Sequence, residues 1–260
     1  MFLLLKYQDY PFSLKLVFQI NLIGFFFNNF LPATIGGDSM RAYYFAKGRR
    51  LAPILATLVY DRLLGLSGLL VLSFTSFGLA WVFNLGFVWT KEFHWVFLGI
   101  VIAMVTLGII YCLSCWQRFL DLVERYVVRV PLGEALSRFI KSVAALSKYG
   151  LLTLALVGFS IGPHICSALA IYFAGQAFGL EANFWLTLIL SPLIFLSGIL
   201  PLSPNNIGWT EYLGSLIWAT QGIGQGGDLW LAYRLIYVLV SLSGLFFYLR
   251  LRAGDLPHES

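Results

Sequence analysis

Five stretches of this chain contain no Asp, Glu, Lys or Arg: 16–37, 63–90, 93–117, 149–180 and 182–210. An apolar helix of about 20 residues suffices to cross the hydrocarbon core of a bilayer. Within that core only a helix or a closed barrel satisfies its own backbone hydrogen bonds. Charged residues make up 11% of the 260, where a soluble domain carries roughly 25%. The chain therefore reads as an all-α, polytopic integral membrane bundle of the cell membrane. The longest hydrophilic stretch, 116–148, is too short to hold a separate catalytic domain.

The net charge of +5 does not imply nucleic acid, because the bases flank apolar segments as the positive-inside rule requires. Cys112 and Cys115 form a C-x-x-C, but it ends an apolar segment and has no second ligand pair. A structural zinc site needs four such ligands. His94, His164 and His258 are scattered, so neither a metal nor a cofactor is expected. There is no G-x-S-x-G, Walker A or dinucleotide fingerprint, and the expectation is a protein that is not an enzyme.

Arginine and lysine thread the membrane. Residues 116–148 hold six bases between two apolar segments. Phe119, Leu122, Val123, Tyr126, Val127 and Val130 fall on one helical face, with Arg118, Asp121, Glu124, Arg125 and Arg129 on the other. This predicts an interfacial amphipathic hairpin on the cytoplasmic surface. Spans over 54–83, 93–115, 150–175 and 229–249 then place 46–50 and the C-terminal 250–252 on that same side. A full crossing by 13–31 would leave Lys6 and Lys15 outside. If the chain instead turns back at "LPATIGG", all six bases between 6 and 50 stay inside, and Lys91 is the one base left outside. The charge rule predicts a broken, re-entrant hairpin with 34–37 at mid-depth, where irregular backbone must be buried in protein or line a cavity.

A second interruption, "GILPLSPNNIGWTEYLG" at 198–214, has the same character. Pro32 precedes Arg62 by 30 residues, and Pro201 precedes Arg234 by 33. We read one domain, 1–260, built from repeat A (about 13–83), the interfacial hairpin (116–148) and repeat B (about 183–250). The second hairpin enters from outside, so the copies are inverted, an arrangement common among transporters.

The ionisable residues placed in or near the membrane are Asp38, Arg41, Asp61, Arg62, Glu211 and Arg234. At a helix centre each costs roughly 2.5–3.5 kcal/mol on insertion scales, so they are expected to face one another or a wet cavity. Asp38 follows Gly-Gly and could cap the half-helix that begins there. It is also three residues from Arg41, on one helical face. Asp61 and Arg62 lie near a helix end and could snorkel; Glu211 and Arg234 have less escape. Guanidinium groups and helix N-termini suit a phosphate. The carboxylates suit an amine, and cation transport would use the same acids.

"NNFLPATIGGDSMRAYYFAKG", "YDRLLGL" and "SPNNIGWTEY" together resemble the transmembrane domain of the lysylphosphatidylglycerol synthase/flippase family. The resemblance runs from about Phe18 to Arg250. It implies movement of a phospholipid or a polyprenyl-phosphate-linked lipid between leaflets. By motif position it implies that Asn29, Pro32, Gly37, Asp38, Arg41, Asp61, Arg62, Gly208, Glu211 and Arg234 form the headgroup and translocation site. Family members usually have further helices upstream of the first motif. The soluble aminoacyl-transfer domain of the bifunctional members is missing from this sequence, so lysyl-lipid synthesis is not expected. The partners implied are membrane lipids. A second reading is a non-transporting accessory subunit of a glycosyl- or aminoacyl-transferase, and a third is an embedded enzyme acting on a lipid phosphate.

Overall fold

The computed structural model describes residues 1–30, 35–116, 120–121, 125–126, 133–147, 150–198 and 202–251. All its regular elements are helices: α1 Phe2–Tyr7, α2 Leu14–Phe27, α3 Ile35–Ala46, α4 Leu51–Phe83 and α5 Lys91–Cys115. They continue with α6 Gly133–Ser147, α7 Gly150–Ala177, α8 Phe184–Ser197, α9 Trp209–Ala219 and α10 Gly226–Arg250.

Helix length divides these into two kinds. At about 1.5 Å per residue, α4, α5, α7 and α10, with 33, 25, 28 and 25 residues, are long enough for a hydrocarbon core of about 30 Å. All four are also apolar enough to cross it. By contrast α2 and α8 have 14 residues each, α3 has 12 and α9 has 11. At roughly 16–21 Å they stop part-way through such a core. The chain is an all-α polytopic membrane protein in which half-length helices sit beside spanning ones.

Each first half-helix starts the same way. Ser13 Oγ accepts from the Leu16 amide at 3.2 Å to open α2, and Asn183 Oδ1 accepts from the Leu186 amide at 3.2 Å to open α8. Both satisfy N–H groups that a helix start leaves unpaired. α2 and α3 then run antiparallel as hairpin A. Near its open end the rings of Phe12 and Phe45 meet at 5.0 Å, and the Arg49 guanidinium lies 4.6 Å from the Phe12 ring centre. Near its tip the backbones touch: a Cβ on Gly37 would fall 2.4 Å from the Gly24 carbonyl oxygen. Hairpin A therefore returns to the side from which it entered.

Hairpin B, α8 and α9, opens at the other end of the bundle. There the Glu181 amide donates to Gln225 Oε1 and the Val88 amide donates to Gln221 Oε1, both at 2.8 Å. Helix α4 begins at the base of hairpin A and ends at the base of hairpin B, so the two hairpins enter from opposite ends. Packing is exchanged between the two halves of the chain: α10 lies against α2, and α4 lies against α8.

Two cores result. One gathers Phe77, Leu190, Ile194, Trp218, Leu229 and Trp230 around hairpin B, and the other gathers Leu5, Phe12, Ile20, Ile23, Phe45 and Ile54 around hairpin A. Helix α6, the second piece of the amphipathic segment, packs on α4 and α5. Most of the first piece, including Phe119, Leu122, Val123, Val127 and Arg129, lies outside the described residues.

Candidate functional site: two acid–arginine pairs at the hairpin tips

At the tip of hairpin A, Asn28 closes α2 and is itself buried. Its Oδ1 accepts from the Gly37 amide at 2.8 Å. The sequence suggested Asp38 as the cap of the second half-helix. The helix instead starts at Ile35, so Asp38 belongs to its first turn. With Asn28 supplying the acceptor, the Asp38 carboxylate is left for guanidinium groups. Oδ1 accepts from Arg41 Nη1 at 3.0 Å, and Oδ2 accepts from Nε of Arg62, which reaches in from α4.

Hairpin B builds the same unit with a different finish. Gly208 precedes α9 with φ +83°, a conformation costly for a residue with a Cβ. Its amide donates to Glu211 Oε2 at 2.8 Å, which satisfies one N–H of the helix start. Thr210 Oγ1 donates to the same carboxylate oxygen at 3.1 Å. The other oxygen, Oε1, accepts from Nε of Arg234 on α10. Asn205 and Asn206, both in the left-handed region at φ 47° and 53°, turn their carbonyls toward the same guanidinium. Arg234 Nη1 donates to the Asn205 oxygen at 3.0 Å, and Nη2 donates to the Asn206 oxygen at 3.2 Å and to Thr210 Oγ1.

In each copy, then, an acid in the first turn of the second half-helix meets an arginine from the spanning helix that follows. Their surroundings differ. Arg234 and Glu211 are 13% and 18% exposed, whereas Arg62 and Asp38 are 42% and 26% exposed.

The tips also touch each other. Asn205 Nδ2 donates to Asn29 Oδ1 at 2.9 Å, and Asn29 Nδ2 donates to Ser241 Oγ at 2.8 Å. Tyr237 stands on the same face of α10 as Arg234 and Ser241. Its ring lies 4.3 Å from that of Phe25 on α2.

Of the residues singled out by sequence, the structure gathers Asn29, Gly37, Asp38, Arg41 and Arg62 at one tip, and Gly208, Glu211 and Arg234 at the other. Asp61 stands apart. One helical step turns it about 100° from Arg62, and its Oδ1 accepts from the Met1 amino group at 2.6 Å. Pro32 lies outside the described residues. Sequence reasoning missed Asn28, Asn205, Thr210, Tyr237 and Ser241. Two signals were present: the doubled asparagines at 28–29 and 205–206, and the spacing of 234, 237 and 241, which puts three polar side chains on one face of α10.

No curated protein and no solved structure matches the chain significantly. A family profile does, and it spans both hairpins, three of the long helices and most of the fourth: "Lysylphosphatidylglycerol synthase TM region", over residues 2–246. With both tips and their arginines inside that match, the chain belongs to the family of the lysylphosphatidylglycerol synthase transmembrane region.

Proposed function

We propose that this protein moves a phosphate-bearing lipid, a phospholipid or a polyprenyl phosphate, between the leaflets of the cell membrane. Its headgroup binds at the tip of hairpin A. The observation that supports this best is the sharing of one carboxylate by two guanidinium groups, Asp38 by Arg41 and Arg62, in a cluster that remains partly open. Among the described residues two guanidinium groups face one carboxylate, and that balance favours an anionic group. The planar arginine fork matches phosphate oxygens in pairs, and desolvation at a membrane tip strengthens the attraction.

Family membership and the two tips joined through Asn29 and Asn205 support a path between the leaflets. The hairpins open at opposite ends of the bundle, so one site has a route to each side. The base of hairpin A and the C-terminus face the cytoplasm on this reading, because the bases between 6 and 50 and at 250–252 then sit inside. The activity is transport and needs no catalytic group.

The test uses purified protein in liposomes carrying a fluorescent phospholipid or polyprenyl phosphate, read by reductant quenching of the outer leaflet. Wild type should exchange the probe much faster than protein-free liposomes. Arg41→Gln and Arg62→Gln should each slow exchange at least tenfold while keeping a cooperative thermal transition. Exchange no faster than in protein-free liposomes, or full-rate exchange by both variants, would overturn the reading.

A further inference from the structure

The two ends of the bundle carry opposite charge. Among the described residues, Lys6, Lys15, Lys47, Arg49, Arg50 and Arg250 surround the base of hairpin A, with Asp9 as the acid among them. At the base of hairpin B stand Lys91, Glu92, Glu181 and Asp228. One end thus sets six bases against one acid, and the other sets three acids against one base. Segment 116–148, which joins α5 to α7 at the first end, adds six bases and three acids. The positive-inside rule accounts for the bases, but acids weigh little in it. Sorting the acids to the far end needs another cause.

The six bases come from four parts of the chain, and one apolar cluster brings them together. Leu5, Phe12, Phe45, Ile54, Phe247 and Leu251 pack into it, which ties α1, hairpin A, α4 and α10 to one another. Two guanidinium groups lie against rings there, Arg49 over Phe12 and Arg250 over Phe246 at 4.2 Å. Lys6, Lys15, Arg50 and Arg250 are exposed. Each stands next in the chain to an exposed apolar or aromatic side chain: Tyr7, Leu14, Leu51 and Leu249. Leu14 and Leu249 are 64% and 74% exposed, so they are not the rim of a core. A partner that satisfies this surface must present an anion and hydrocarbon together.

We infer that the base of hairpin A is a docking surface for anionic phospholipids, distinct from the charged cluster at the hairpin tip. Its place along the bundle selects the partner. Helix α4 begins directly after Arg50 and α10 ends at Arg250, and both are long and apolar enough to cross the bilayer. Charges at the ends of spanning helices lie at headgroup depth, where lipid phosphate is the abundant anion. A soluble acidic protein, a nucleic acid or free phosphate would meet the bases and leave the leucines uncovered. The attraction is screened beyond about 8–10 Å at physiological salt, so the surface enriches only lipids that touch the protein. A lipid gathered here lies at the mouth of the hairpin whose tip carries Asp38, Arg41 and Arg62.

The experiment compares, by electron spin resonance, how spin-labelled phosphatidic acid and phosphatidylcholine associate with the whole protein in phosphatidylcholine bilayers. It is read at equilibrium and needs no transport, so its failure and that of the translocase reading are separable. Wild type should prefer the acidic lipid about threefold at low salt and lose most of that preference at high salt. Lys6→Gln, Lys15→Gln, Arg50→Gln and Arg250→Gln together should bring the two lipids close to equal. Should that variant not fold, Lys15→Gln with Arg250→Gln should remove about half of the preference. Lys91→Gln at the far end, Arg41→Gln at the tip, and glycerol phosphate in solution should each leave it unchanged. Equal association of the two lipids with wild type would overturn the inference. So would an undiminished preference in a folded base variant, or an equal loss in Lys91→Gln or Arg41→Gln. Displacement by glycerol phosphate would also overturn it, marking a site for phosphate alone.

Discussion

The tips of hairpins A and B use the same parts and differ in how far those parts are exposed. At hairpin B, Arg234 spends its donors on Glu211, two backbone carbonyls and Thr210. Glu211 divides its oxygens among Arg234, Thr210 and the Gly208 amide. That pair is balanced in charge and closed. At hairpin A one carboxylate serves two arginines, and Arg62 is three times as exposed as Arg234. The two acid–arginine pairs thus differ in exposure, the one at hairpin B largely enclosed and the one at hairpin A open to its surroundings. The buried ion pair suits a fixed strut because its energy lies in not being broken, and the exposed one suits a site because it can exchange partners.

The sharpest way to break that contrast is to remove both arginines in turn. Arg234→Ala leaves Glu211 mostly buried without its cation. The expected loss is about 3–5 kcal/mol, seen as a collapse of thermal stability in detergent or as failure to accumulate folded protein. If Arg234→Ala unfolds no earlier than wild type, hairpin B is not the closed member of the pair.

A smaller effect is expected at the joint between the tips. Asn29→Ala removes the bonds to Asn205 and Ser241 and strands two partly buried partners, which should cost about 1–3 kcal/mol. A double-mutant cycle with Ser241→Ala should show coupling. Strict additivity would mean that the two hairpins are held together elsewhere.

The smallest stability effect belongs to Arg62→Ala. Because Arg62 is 42% exposed, its loss should cost at most about 1 kcal/mol. A melting transition close to wild type combined with slow lipid exchange would sharpen the contrast. Destabilisation equal to that of Arg234→Ala would erase it.

Much of this was legible in the sequence. Three of the five uncharged runs fall on the spanning helices α4, α5 and α7, because a bilayer admits few alternatives, and the other two fall on the hairpins. The proline-to-arginine spacing suggested a repeated unit; Pro32 and Pro201 lie outside the described residues, and the structure describes the arginines, each facing an acid in the first turn of a half-helix. What escaped was local competition and distant contact. Asp38 seemed a natural cap, yet Asn28, ten residues earlier, takes that task by coming close across the Gly24–Gly37 contact. Asp61 was grouped with Arg62 by adjacency, whereas helix geometry turns neighbours apart. The Asn29–Asn205 bond joins residues 176 apart, and no spacing rule reaches that far.

Helix α10 is fastened near both of its ends by glycine. A Cβ on Gly226 would fall 2.2 Å from the Gly214 oxygen, and one on Gly244 would fall 2.0 Å from the Leu22 oxygen. The first contact welds α10 to hairpin B and the second to hairpin A. Between them lie 18 helical steps, roughly 27 Å, with Arg234, Tyr237 and Ser241 at fixed intervals along the way. This helix acts as a ruler. The distance between the two welds is set by a count of residues rather than by bilayer thickness, and so is the angular phase of the polar face. One extra residue between the glycines would rotate one weld by about 100° relative to the other, placing the arginine and the serine on faces that no longer address both tips.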